Sequence, residues 1–184
     1  MRALAQAVER GQIQAVGVSN YSASQTRQAH KLLAEYGIPL VTNQVRYSLL
    51  DRKVETNGIV ETARELEVTI LAYCPLGQGL LTGKYTVENY QTPTGARKLD
   101  PRFSPKGLAK LMPLIQTLQT IGQSHDRTPA QVALNWLIAQ GGVIPIPGAK
   151  TLEQAQQNAG ALGWQLTAEQ QASLNQISKT VASM

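Results

Sequence analysis

The chain has 184 residues, 42% hydrophobic and 16% charged, with 15 Gly and 9 Pro. That is one folded domain's worth, and neither a disordered nor a collagen-like chain has such a balance. One cysteine (Cys74) and two histidines (His30, His125) exclude an internal disulfide framework and argue against a cysteine- or histidine-rich metal site, while the formal charge of +5 keeps anionic partners open.

The first 14 residues carry Arg2, Glu9 and Arg10 without the apolar stretch of a signal peptide, and they read as a helix. No run in the chain approaches the roughly 20 apolar residues that cross a bilayer. A reducing cytoplasm is the expected compartment, and no membrane partner is expected. Four β-branched apolar runs bounded by turn signals read as buried strands: 15–18, 40–45, 68–73 and 142–146. Pro145 counts against an ordinary central strand, because proline removes a ladder donor, so the fourth strand is expected to be short.

Helices fill the gaps. Ser22/Gln25, Thr128/Gln131, Thr151/Gln154 and Thr167/Gln170 each have the spacing of a capping box. Pro129 stands at a first helical position, where a missing N–H costs nothing. Further helices are expected over 54–66 and 108–123, with Gly122 near the end of the second. The order is helix, β-α-β-α-β, a long loop with glycine and proline, a helix pair, then β-α-α. Such alternation predicts a parallel sheet with helical cover in a single α/β domain.

The strand ends are polar, aromatic or glycine-bearing: Ser19-Asn20, Asn43-Gln44, Tyr73 through Gly77, and Pro147 through Lys150. Parallel α/β folds bind ligands at that edge of the sheet. The plainer reading is that Asn and Gln there satisfy loop backbone groups. Gly148, Lys150 and the helix beginning at Thr151 have the makings of a phosphate site, although an ordinary capped helix after a glycine turn fits equally well. Arg97, Lys98, Arg102, Lys106 and Lys110 stand against a single Asp100. A solvated basic loop is the first reading, a clamp on a phosphorylated ligand the second. Aromatics are not interleaved there as nucleic-acid stacking requires, so no nucleic-acid partner is expected. Gly77-Gln78-Gly79 fails the dinucleotide fingerprint, since Gly83 is one position late. Cys74 has no nearby histidine and reads as a buried core thiol. Tyr47, Asp51 and Lys53 contain the residue types of a proton relay, but a solvated loop is expected there.

Taken together, the segments Gly17-Val18-Ser19-Asn20-Tyr21, Asn43-Gln44-Val45-Arg46-Tyr47, Ala72-Tyr73-Cys74-Pro75-Leu76-Gly77, Gly83-Lys84-Tyr85, Ile144-Pro145-Ile146-Pro147-Gly148 and Gln154-Ala155-Gln156-Gln157-Asn158 resemble the aldo-keto reductases. Leu99-Asp100-Pro101-Arg102 and the segment around Trp164 resemble the cyanobacterial and plastid branch. The resemblance implies a (β/α)8 TIM barrel, of which this chain covers the second half, strands five to eight. It implies an N-terminally truncated oxidoreductase domain over 1–184 that uses NADPH on a small-molecule aldehyde or ketone. The family's catalytic Asp, Tyr, Lys and His have no counterparts here, so no catalytic residue is assigned and the chain alone is expected to be inactive.

By the same resemblance, Ser19, Asn20 and Gln44 hold the nicotinamide carboxamide and Tyr73 stacks on its ring. Cys74, Leu76 and Gln78 border the pyrophosphate, with Lys84 and Arg97 clamping it. Lys150, Gln154, Gln157 and Asn158 face the adenosine 2′-phosphate and adenine. Gln157 replaces a usual Glu, and Cys74 a common Ser. The alternative reading is a non-catalytic NADP(H)-binding half barrel with a sensor or regulatory role. A half barrel also leaves two open edges, so aggregation or pairing of two copies is expected.

Overall fold

A computed structural model describes residues 1–182. Its elements in chain order begin with α1 (Arg2–Glu9), β1 (Val16–Ser19), α2 (Ala23–Ala34), β2 (Leu40–Arg46), α3 (Ile59–Glu65) and β3 (Thr69–Tyr73). They continue with α4 (Pro105–His125), α5 (Pro129–Ile138), β4 (Val143–Pro145), α6 (Leu152–Ala159) and α7 (Ala168–Ala182). The strands form one parallel sheet in the order β1-β2-β3-β4. No helix among the described residues is long and apolar enough to cross a membrane.

Alternation along each strand decides which face is buried. Val16, Val45, Ile70, Ala72 and Val143 point at the helices and are buried, and Leu40 is buried too, beyond an irregularity where the register shifts between Val16 and Gly17. Leu111, Leu114, Ile115 and Leu118 of α4 and Val132, Ala133, Trp136 and Leu137 of α5 belong to the same core. The opposite face is bare. Across it run Ser19, Gln44, Leu71 and Ile144 in register, with Ile144 53% exposed.

Local chemistry sets the element ends. Ser22/Gln25, Thr128/Gln131 and Thr167/Gln170 form reciprocal capping boxes. Thr151 caps α6 through the Gln154 amide, but the Gln154 side chain reaches back to the Lys150 N–H at 2.7 Å instead. The helix expected over 54–66 is split, because Gly58 adopts a left-handed φ of +81°. Residues Lys53–Glu55 make a separate 3-10 turn, and α3 starts only at Ile59. Helix α4 runs two residues past the expected end at Gln123, and Gly122 lets the chain double back. A Cβ there would collide with the Arg127 carbonyl.

Two polar knots tie the loops to the helices. In the first, Arg52 grips Glu55 through two hydrogen bonds of 2.8 and 2.7 Å, donates to the Asn175 carbonyl and the Ser178 hydroxyl, and lies 5.0 Å above the Trp136 ring. The Ser178 hydroxyl donates to the Leu49 carbonyl, and the Tyr47 hydroxyl donates to Glu55 at 2.9 Å. Tyr47 is therefore buried, not part of a solvated loop. Burial, and then the Glu55 charge, push its phenol well above the ordinary value, which locks the proton in place. It packs edge-on against Trp136 at 5.7 Å.

In the second knot, Arg102 bonds Asp100 at 2.7 Å and Asp51 at 3.3 Å, and Arg46 Nε lies 3.0 Å from Asp51. Arg102 is thus removed from the basic cluster read in the sequence. Burial raises the Asp100 carboxyl, but hydrogen bonds and charge from Arg102 outweigh it and hold the pKa below the ordinary 3.8. A depressed folded pKa gives stability that is present above 3.8 and lost as pH falls through the folded value. Unfolding free energy measured from pH 7 downward should therefore drop once pH passes below the ordinary carboxylate range, and Arg102→Gln should flatten that drop. Arg52→Ala should cost about 3 kcal/mol in urea denaturation, because it leaves the Glu55 charge with only the Tyr47 hydroxyl and removes the bonds to Asn175 and Ser178.

Candidate functional site

All four strands are parallel, so their C-terminal ends share one rim of the sheet. On β1, Ser19 Oγ donates to the Gln44 carbonyl at 3.1 Å, and the Asn20 N–H donates to the same oxygen at 2.9 Å. Asn20 adopts a left-handed φ of +58°, which turns its side chain across the sheet. There its Oδ1 accepts from the Tyr73 hydroxyl at 3.2 Å. The Asn20 Nδ2 and the Gln44 carboxamide have no hydrogen-bond partner among the described residues. Ser19, Asn20, Gln44 and Tyr73 are thus brought together, with the Asn20 Nδ2 and the Gln44 carboxamide turned to the open side.

Asn43, adjacent in sequence, has a different task. It is fully buried on the helix side, where Nδ2 donates to the Tyr21 carbonyl at 3.0 Å and to Thr26 at 3.2 Å. For this residue the plainer reading holds: its amide satisfies loop backbone and fixes the approach to α2.

The loop after β3 is bent by consecutive left-handed residues. Cys74, Gly77, Gln78 and Gly79 have φ of 52°, 55°, 57° and 100°. Within the turn the Gly77 and Gly79 N–H groups donate to the Cys74 and Leu76 carbonyls at 2.9 and 3.0 Å, which holds the loop in shape. Cys74 is half-buried at the start of this loop rather than part of the core. Leu76 packs inward and anchors the loop to the core. A Cβ on Gly79 would meet Lys84 and the Tyr85 ring at 3.4 and 3.3 Å.

Two cations then converge on one ring. Lys84 Nζ lies 4.9 Å and Arg97 Cζ 5.7 Å from the Tyr85 centroid, and Arg97 is also 5.8 Å from Phe103. Tyr85 and Phe103 pack edge-on at 5.3 Å. Neither cation has a carboxylate partner among the described residues. The sequence reading found no aromatic interleaving in this basic segment. Tyr85 escapes that scan because it lies 12 positions before Arg97 and is returned to it by the loop. Its position in the Gly83-Lys84-Tyr85 segment was the available signal.

The last cluster lies after β4. Gly148 has open space where a Cβ would stand. The Gly148 carbonyl accepts from Asn158 Nδ2 at 3.4 Å, and the Lys150 N–H is held by Gln154. These contacts fix the entry to α6 and leave the Lys150 ammonium exposed and without an ion pair among the described residues. Gln157 is exposed and bonds Glu153 at 3.3 Å. Glu153 puts a negative charge in the first turn, so an anion at this helix end depends on Lys150 for attraction. No group of three or more His, Cys, Asp or Glu side chains that could hold a metal ion occurs among the described residues.

Comparison with known proteins gives this rim a context. Residues 1–179 match the profile of the aldo/keto reductase family. Over 176 residues the chain is 41% identical to a chloroplastic pyridoxal reductase of Arabidopsis thaliana, covering 96% of this chain and 47% of that protein. Over 165 residues it is 36% identical to an aldo-keto reductase of Schizosaccharomyces pombe named for NADP(+), covering 88% of this chain and 47% of the relative. The solved glycerol dehydrogenase of Gluconobacter oxydans superposes with a TM-score of 0.85 at 29% identity, over 97% of this chain and 53% of that one. The chain spans about half the length of the relatives it matches. Its four parallel strands accord with part of the (β/α)8 barrel of these neighbours. The chain belongs to the aldo/keto reductase family.

Proposed function

We propose that this chain is the cofactor-holding side of an NADPH-dependent reductase that converts an aldehyde or ketone to an alcohol. The observation that carries the reading is the convergence of Lys84 and Arg97 on Tyr85 beside the left-handed turn at Gly77–Gly79. Two cations near one ring with no carboxylate partner among the described residues leave a local positive charge that an anion would neutralise. The two cations beside a fixed glycine turn, with no such carboxylate to neutralise them, suit a pyrophosphate.

The other residues fit the remaining parts of the same cofactor. The free amides of Asn20 and Gln44 match the donors and acceptors of a carboxamide. Tyr73, oriented by its bond to Asn20, offers a ring against which a nicotinamide stacks. Lys150 offers a point charge to a 2′-phosphate, with Gln154, Gln157 and Asn158 lining the adenine side. The relative named for NADP(+) supports that choice of cofactor. When bound, the reduced nicotinamide supplies hydride to the carbonyl carbon. This chain's residues bind and orient the cofactor, and the Tyr73 hydroxyl is committed to Asn20. Tyr47, the buried tyrosine near the rim, keeps its phenol proton and donates it in a hydrogen bond to Glu55. The family's Asp, Tyr, Lys and His must complete the reaction from outside these matched motifs. A lone, unpaired Cys74 suits a reducing cytoplasm for this chemistry.

A second reading is a half barrel that binds NADP(H) without turnover, since the rim residues account for binding alone. Carbonyl reduction by the chain mixed with NADPH and a panel of aldehydes separates the two. Activity that depends on adding the missing catalytic groups supports the reductase, and tight binding with no turnover under any complementation supports the sensor.

Binding tests the proposal directly. In a fluorescence titration, NADPH should bind at least about tenfold more tightly than NADH, a difference of about 1.4 kcal/mol. Lys150→Ala should erase that preference, whereas Lys84→Ala with Arg97→Ala should weaken both cofactors by about a hundredfold. Equal affinities for NADPH and NADH in the parent chain would defeat the assignment of Lys150.

A further inference from the structure

The structure assigns Arg102 a positioning role: acting through the backbone, it holds Arg97 where a pyrophosphate can be gripped. The inference rests on the proposed function, in which Lys84 and Arg97 bind that group. Among the described residues the Arg97 guanidinium makes no hydrogen bond and no ion pair. It lies over the Tyr85 and Phe103 rings at 5.7 and 5.8 Å. Its place is therefore set by those rings and by the backbone that carries it.

That backbone is a run of short turns. Residues Gly95–Leu99 form one 3-10 turn and Pro101–Phe103 another. The Asp100 N–H donates to the Arg97 carbonyl at 3.1 Å, and the Phe103 N–H donates to the Asp100 carbonyl at 3.0 Å. The Asp100 carboxylate accepts from the Arg102 N–H at 3.0 Å, from its Nε at 2.9 Å and from its Nη2 at 2.7 Å. Arg97, Asp100, Arg102 and Phe103 are thus joined into one piece. Arg102 Nη1 then donates to both Asp51 carboxylate oxygens at 3.3 Å, which ties the piece to the loop after β2. That anchor is firm, because the Asp51 N–H is shared at 3.1 Å between the hydroxyl and the carbonyl of Ser48, a fully buried residue.

A second anchor is contact with the first turn of α4. Ser104 Oγ donates to the Pro101 carbonyl at 2.8 Å and accepts from the Gly107 N–H at 3.0 Å. Position 107 has no room for a side chain. A Cβ there would collide with the Pro101 carbonyl and stand 2.7 Å from the Arg102 Cα, both of them backbone atoms. Phe103 is buried beside these anchors, and its ring is the one on which Tyr85 and Arg97 pack. Loosening either anchor moves Arg97 relative to Lys84.

Calorimetric titration of the 184-residue chain with NADPH and with 2′-AMP tests this. 2′-AMP carries the 2′-phosphate and lacks the pyrophosphate. Arg102→Gln should weaken NADPH about tenfold, as Arg97→Ala does, and leave 2′-AMP within about twofold of the parent. The double variant should also stand about tenfold below the parent, not about a hundredfold, because both changes remove one interaction. Gly107→Ala changes no charge, yet it too should weaken NADPH about tenfold, which the charge of Arg102 acting at a distance would not produce. If Arg97→Ala weakens NADPH and Arg102→Gln or Gly107→Ala does not, positioning by Arg102 is overturned while the proposed function stands. Additive losses in the double variant, or a parallel loss of 2′-AMP, overturn it in the same way. If Arg97→Ala leaves NADPH binding unchanged, the proposed function and this inference fall together.

Discussion

One-sided burial of a parallel sheet is the constraint on which the rest of this structure depends. Val45, Ile70, Ala72 and Val143 all point to the helices, which fixes register, because a slip of one residue would turn each of them outward. With register fixed and every strand parallel, the polar residues that follow each strand gather on one rim. The candidate site is a consequence of that gathering. So is the bare opposite face, where Gln44, Leu71 and Ile144 lie in one row.

The rim works by division of labour between neighbours. Asn43 faces the helices and spends its amide on Tyr21 and Thr26, while Gln44 faces the open side and keeps its amide free. Strand alternation alone separates the structural residue from the candidate binding residue. The loop after β3 shows the same economy. Its left-handed turn brings Lys84 to Tyr85, and Arg97 arrives from the next segment onto the same ring. Arg102, close to Arg97 in sequence, is instead committed to Asp100 and Asp51 and holds the loop to the end of β2.

Much of the fold was legible because it rests on local chemistry. The strand runs, the hydroxyl–glutamine helix starts and the proline that shortens β4 all act within a few residues. What escaped were long-range effects. Gly58 reads as a tolerable helix residue until its left-handed conformation splits the segment. Tyr47 reads as a loop residue, yet Arg52, Glu55 and the distant Ser178 build a buried pocket around it. Cys74 reads as a core thiol, yet its positive φ places it at the start of the rim loop. On the site, composition and spacing alone could nominate the strand ends. The identity of the ligand came from the resemblance, and the meeting of Lys84 with Arg97 on Tyr85 came only from the folded chain.

The central claim is that the strand-end rim, and no other surface, holds NADPH. Hydrogen exchange of the chain with and without NADPH tests it most directly. The account predicts slowed exchange at Asn20, Gln44, the segment from Cys74 to Gly79, and Lys150 to Gln154, with the remainder unchanged. Protection confined to any other surface, or none at all in a chain whose core amides exchange slowly, would contradict it.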